Sequence, residues 1–138
     1  MKYALTIGLL ILFYMGCKHT TKTPSNPFSK VIIEPIIEDS LLNIRALEIN
    51  KHLVKAVSSI GDVYTYDLKT GQTVVERISE DTLNFRSSAF INDSYFTLSI
   101  GSPAYLFKDQ ELVYIETDSA AFYDALHFWN SKEGIAVG

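Results

Sequence analysis

The 138-residue sequence has a single cysteine, Cys17, and only three histidines, His19, His52 and His127. One thiol excludes an internal disulfide, and the scattered histidines lack the ligand spacing of a zinc site. Metal and dithiol redox chemistry therefore gain no support, and no cofactor is expected. Basic residues are in deficit too, twelve Lys and Arg against sixteen Asp and Glu, for a formal charge of −4. That sign opposes the footprint needed for non-specific nucleic-acid binding, so nucleic acid is not an expected partner. No apolar run reaches the about 20 residues of a membrane-spanning helix. There is no Gly-x-Gly-x-x-Gly fingerprint, no Gly-x-Ser-x-Gly elbow, no Cys-x-x-Cys and no phosphate-cradling loop, so no catalytic residue can be assigned from a motif. With 47% hydrophobic and 20% charged residues, the composition still suits one folded domain with a short extra segment.

What is present begins with an address. Lys2 gives a positive start, and Ala4 to Met15 is an apolar stretch of twelve residues broken only by Thr6 and Gly8, the length of a signal-peptide core. Tyr14-Met15-Gly16-Cys17 follows and resembles the cleavage box of bacterial lipoproteins. In that box a small residue precedes a cysteine whose thiol takes a diacylglycerol; Tyr14 and Met15 depart from the usual Leu and small residue. The resemblance implies a lipoprotein signal peptide over 1–16, lipidation at Cys17, and a membrane-anchored place in the bacterial cell envelope, facing the periplasm or the surface. Ordinary secretion or an uncleaved anchor would use the same kind of run and also put the domain outside the cytoplasm. Residues 17–40 read as a tether, since Lys18 to Ser29 is polar with two prolines and no apolar period.

From Leu41 the chain reads as all-β. Runs rich in Val, Ile, Tyr, Phe and Thr alternate with Asn, Asp, Gly and Lys-Thr-Gly turns. Strands are predicted at 44–49, 53–60, 63–67 and 73–78, then 85–91, 95–100, 104–108 and 112–117, then 123–129 and 135–137. The pattern also repeats. Leu42-Asn43-Ile44-Arg45 returns as Leu83-Asn84-Phe85-Arg86, and Ser59-Ile60-Gly61 returns as Ser99-Ile100-Gly101. A third copy runs from Tyr123-Asp124 to Ala136-Val137-Gly138. In each copy an apolar residue, Ile49, Phe90 or Phe128, stands four after the charged one, and a polar turn follows. Four strands in about 40 residues is the arithmetic of a β-propeller blade, although hairpin-rich sandwiches also repeat Gly at strand ends. Gly61, Gly101 and Gly138 fall where the second strand hands over to the third, a bend that a Cβ would obstruct.

Gly61-Asp62-Val63-Tyr64-Thr65-Tyr66-Asp67 with Gly71-Gln72-Thr73 is similar to the Asp-box turn of sialidase-like propellers. Asp124-Ala125-Leu126-His127-Phe128-Trp129 with Gly134 to Gly138 resembles the repeat of the photosystem II stability and assembly factor-like propellers. The box departs from its pattern, with two extra residues between Asp67 and Gly71 and Val74 at the aromatic position, and Asp67 reads as a turn builder rather than an acid catalyst. The resemblance implies a partial propeller of about two and a half blades, near 41–80, 81–119 and 120–138. Propellers have at least about four blades, so the chain is expected to be an N-terminal fragment or to take its missing blades from other chains. A short β-sandwich lipoprotein is the alternative architecture.

Arg45, Arg86 and Asp124 hold the same place in the three units. If the first strand is innermost they gather at one channel mouth, where they can grip a carboxylate or acidic peptide; alternatively Arg86 pairs with Asp124 as a structural link between blades. Phe122, Tyr123, Phe128 and Trp129 read as inter-blade core rather than a carbohydrate platform. His127 falls on the strand face opposite Phe128, and Glu111, Glu116 and Asp118 read as a solvated face. Sialidase chemistry needs three converging arginines with a Tyr/Glu pair, and only Arg45, Arg77 and Arg86 exist. The expected function is a non-catalytic module for protein binding or complex assembly; a glycan ligand has no assigned site. The alternative implied by the resemblance is an enzyme, a sialidase-like glycoside hydrolase or an oxidoreductase, with its active residues in further blades.

Overall fold

The computed structural model describes residues 30–38, 40, 42–80, 82–118 and 122–138. The expected signal peptide 1–16 and the lipidation site Cys17 lie outside the described residues. The chain divides into two units, Met1–Ile36 and Ile37–Gly138. In the first, residues 30–36 carry neither helix nor strand, and Val31, Ile32, Ile33 and Ile36 are exposed.

The second unit is all-β. Its strands are β1 (Ile44–Asn50), β2 (Leu53–Ser58), β3 (Asp62–Asp67), β4 (Thr73–Arg77), β5 (Phe85–Ile91), β6 (Ser94–Ser99), β7 (Ala104–Lys108), β8 (Glu111–Glu116), β9 (Ala125–Phe128) and β10 (Gly134–Val137). Each sits where β-branched and aromatic residues cluster between turn formers. They form two four-stranded antiparallel meanders, sheet I (β1-β2-β3-β4) and sheet II (β5-β6-β7-β8), and a two-stranded sheet III (β9-β10). The first strands lie side by side, β1 against β5 and β5 against β9. The described strands stack as meanders and do not close into a ring.

Tight turns set the register. Lys51 (φ 57°) and Asn92 (φ 56°) sit in the left-handed region at the tips of β1-β2 and β5-β6, and Asp109 and Gln110 do so together between β7 and β8, as two-residue hairpins with a right-handed strand twist require. Gly61 (φ 90°) and Gly101 (φ 127°) make the second-to-third-strand bend, where a side chain would be strained. The second strand stops at Ser58 rather than at 60, because the Ser58 hydroxyl accepts the backbone N–H groups of Ile60 and Asp62 and folds the chain into a turn. The ninth begins at Ala125 rather than at 123.

Sheets I and II are joined by one core: Val57 and Val63 from sheet I with Phe85, Tyr95 and Phe107 from sheet II, flanked by Ala46, Ile78, Leu83, Phe90 and Tyr105. Phe85 is fully buried and meets Phe107 edge to face at 6.0 Å. Withdrawing these rings and aliphatic groups from water, at about 25 cal/mol per Å² of apolar surface, is what chiefly holds the two meanders together. Polar links ring this core. Lys51 Nζ donates to Asp93 at 2.6 Å, Asn50 Nδ2 to the Asn92 carbonyl at 2.7 Å, and Gln110 Nε2 to Glu76 at 2.7 Å. Sheet III docks on the opposite face of sheet II through Phe128 on Phe96, 4.7 Å between ring centroids, and through Leu126 N–H donating to Ser87 Oγ at 3.0 Å.

Candidate functional site

Arg45 and Arg86 occupy matching places in sheets I and II, each as the extra residue of a β-bulge. Ile44 pairs with Ser58 and Ala46 with Val57, leaving Arg45 over; Phe85 pairs with Ser99 and Ser87 with Leu98, leaving Arg86 over. A bulge bends its strand and re-aims the unpaired side chain, so the two guanidinium groups leave their strands at one register on neighbouring β1 and β5. The flanking bonds repeat as well, Ser59 N–H to the Asn43 carbonyl and Ile100 N–H to the Asn84 carbonyl. In the third unit Asp124 stands just before β9, its N–H held by the Val137 carbonyl at 2.8 Å.

The electrostatics separate these three residues. Arg86 Nε lies 3.6 Å from Asp124 Oδ1. That nitrogen is buried and makes no hydrogen bond, so the contact is an ion pair without the directed bond of a fork geometry. Asp124 remains 63% exposed, and the pair links sheet II to sheet III. Arg45 is exposed and has no ion pair with a described residue. Arg77, the remaining arginine, is bound to Asp62 at 2.9 Å. A guanidinium such as that of Arg45, without an ion pair to a described residue, can accept a carboxylate; with Arg86 paired to Asp124 and Arg77 to Asp62, the three free converging cations of sialidase chemistry are not assembled among the described residues.

The other singled-out residues fall into clear roles. Asp67 builds its turn by accepting Lys69 N–H at 2.7 Å and Thr70 N–H at 3.2 Å. These bonds, the Lys69 one foremost, hold its carboxyl below the usual range, with His52 3.8 Å away adding to the effect. The aromatic cluster divides, which corrects the expectation of a shared core. Phe128 is half-buried on Phe96, but Trp129 is 58% exposed, its indole N–H directed at Glu133 at 3.3 Å, and Phe122 is also exposed. The cause is that Trp129 lies one residue beyond the last paired position of β9, in the turn. His127 is exposed on the face opposite Phe128. Glu111 is exposed, and Glu116 accepts Tyr114 O–H and Asp118 N–H.

Two features escape sequence reasoning. Ser88, Tyr95 and Thr97 bring buried hydroxyls into the seam between sheets I and II; burial pushes the Tyr95 phenol up, and the neighbouring Ser88 hydroxyl acts the other way. An open pocket of 110 Å³ lies against the β5-β6 turn, lined by Ile91, Asn92, Ser94, Phe96, Lys108 and Ser131. Its lining comes from two separate sheets, and only the turn residue Asn92 gives a local signal. Among the described residues no three His, Cys, Asp or Glu side chains assemble as a metal site, and no helix is long and apolar enough to cross a membrane.

Compared with known proteins, the sequence matches no family model and no curated protein. Among solved structures it is similar to the crystal structure of the computationally designed Ika4 protein, with 14% identity and a TM-score of 0.39, over 76% of this chain and 92% of that one.

Proposed function

We propose that this chain is an envelope lipoprotein, anchored through Cys17, whose meanders are blades of a β-propeller that serves as a non-catalytic protein-binding or complex-assembly module. One observation carries the reading: the matching bulges on β1 and β5 put Arg45 and Arg86 at one end of adjacent first strands, with Asp124 completing the row. Strands in this order, stacked first strand to first strand, would converge on an axis, and the row would form one mouth of the channel. Arg86 there is tied to Asp124, and Arg45 is the contact offered to a partner's carboxylate. The likeness of the repeat to the assembly-factor propellers supports assembly over catalysis, since nothing in the row supplies a nucleophile or an acid–base pair.

The anchor and the recognition are tested separately. Labelled palmitate should enter the protein and be lost in Cys17→Ser. A photo-crosslinking residue placed at position 45 in intact cells should yield one discrete protein adduct that the same residue at Lys69, in the β3-β4 turn at the other end of sheet I, does not. Turnover of a sialoside or of a redox dye by the purified protein would overturn the non-catalytic reading.

A further inference from the structure

The seam between sheets I and II is bonded at its turn end by residues that stand five, six and seven places after the charged position of each unit. Counting from Arg45 and Arg86, these are Asn50, Lys51 and His52 in the first unit and Ile91, Asn92 and Asp93 in the second. Lys51 Nζ donates to Asp93 Oδ1 at 2.6 Å, and Asn50 Nδ2 reaches the same oxygen at 3.4 Å and the Asn92 carbonyl at 2.7 Å. An ammonium and an amide of one unit thus hold a carboxylate of the next. The same count from Asp124 gives Trp129, Asn130 and Ser131 in the third unit. A hydroxyl, that of Ser131, therefore stands where Asp93 offers its carboxylate, and at this place the seam between sheets II and III holds an open pocket of 110 Å³.

This second seam keeps a cation and lacks the anion. Ile91, Asn92 and Ser131 line the pocket with Ser94, Phe96 and Lys108, none of them acidic. Lys108 Nζ lies 6.0 Å from the centroid of the Phe96 ring and makes no ion pair with a described residue. We infer that the pocket binds a carboxylate on a short apolar stem, in the place that Asp93 fills in the first seam. Lys108 supplies the ammonium and Asn92 the amide, the two kinds of donor that Asp93 receives from Lys51 and Asn50. Ser94 and Ser131 add hydroxyl donors, and Phe96 gives the stem an apolar wall. A cavity of about 150 Å³ admits a benzene ring, so 110 Å³ suits a group the size of acetate or propionate. One cation matches one negative charge; a phosphate dianion calls for an arginine fork or a helix N-terminus, and neither lines the pocket. The site requires neither the lipid anchor nor the Arg45 row.

The test titrates the full chain, in neutral detergent, with sodium acetate at constant ionic strength and reads the backbone amide shifts of Asn92, Ser94 and Ser131 by NMR. They should move saturably with acetate and stay still with acetamide, which has the same shape and no charge. A short end-blocked peptide with one central Glu separates the two sources of the group. Binding at least about tenfold tighter than acetate assigns an acidic side chain of a partner protein; equal or weaker binding assigns a free monocarboxylic acid. Lys108→Met should weaken acetate at least about tenfold, the scale of one charged hydrogen bond, and Lys108→Arg should restore it. Ser131→Asp, which returns the carboxylate of the first seam, should abolish acetate binding while amide resonances away from the pocket stay in place, so the loss is not a failure to fold. No saturable shift with acetate, an equal shift with acetamide, or phosphate binding tighter than acetate would overturn the inference. Acetate binding that survives Lys108→Met or Ser131→Asp unchanged would overturn it too.

Discussion

Phe85→Ala is the perturbation whose cost follows most directly from the fold. Phe85 is fully buried, stands edge to face with Phe107 at 6.0 Å, and belongs to a core contributed by both sheets, Val57 and Val63 on one side and Tyr95 and Phe107 on the other. Truncation of a buried Phe removes its transfer free energy and leaves a cavity, together about 3–5 kcal/mol. The aromatic pair, about 0.5–1.5 kcal/mol, is contained in that sum rather than added to it. A domain of this size is stable by about 5–15 kcal/mol, so the variant should retain a fold near the lower edge of stability. Urea unfolding followed by far-UV circular dichroism and by Trp129 fluorescence measures it. Because sheets I and II share the core, both probes should move together in one transition with an unchanged slope. A loss below about 1 kcal/mol, well under the cost of emptying a packed site, would refute the shared core, and so would two separate transitions.

Three further outcomes are expected. Gly101→Ala should lower the urea midpoint by the equivalent of about 1–3 kcal/mol, because φ 127° is a glycine conformation; an unchanged midpoint would show that the bend adapts. The folded-state pKa values of Asp67 and Asp93 are depressed, Asp67 chiefly by the Lys69 N–H and Asp93 chiefly by the Lys51 hydrogen bond. Their stabilisation is therefore present above the ordinary carboxylate pKa and lost as pH falls through the lower folded values, so Asp67→Asn should flatten the acid limb of the stability profile and leave its neutral-to-alkaline shape alone. A double-mutant cycle on Arg86→Met and Asp124→Asn should give a coupling of under about 1 kcal/mol, since Asp124 is 63% exposed and the 3.6 Å contact lacks a hydrogen bond; coupling above about 2 kcal/mol would mark a buried, directed pair.

The strands were legible because this domain builds them locally. Alternating Val, Ile, Tyr and Phe between Asn, Asp and Gly turns gives ten strands in the expected order, with ends off by one or two residues where a side chain intervenes, as at Ser58. The repeat was legible in Leu42-Asn43-Ile44-Arg45 and Leu83-Asn84-Phe85-Arg86, and the bulges at Arg45 and Arg86 are its structural counterpart. Placement across sheets was less so. Trp129 read as core by residue type, yet strand pairing ends at Phe128 and leaves the indole in water. The hydroxyls of Ser88, Tyr95 and Thr97 look like ordinary strand positions until two sheets meet over them. The pocket at Phe96 and Lys108 needs Ser131 from another repeat, a proximity that no local spacing encodes.

Whether these meanders are propeller blades is tested most directly by the mass and solution scattering of the protein taken from its native source, freed of any lipid. A propeller predicts an assembly holding at least about four blades, with the profile of a torus around a central channel. A compact monomer of only the 122 residues from Cys17 to Gly138 would contradict it, and with it the channel mouth proposed for Arg45, Arg86 and Asp124.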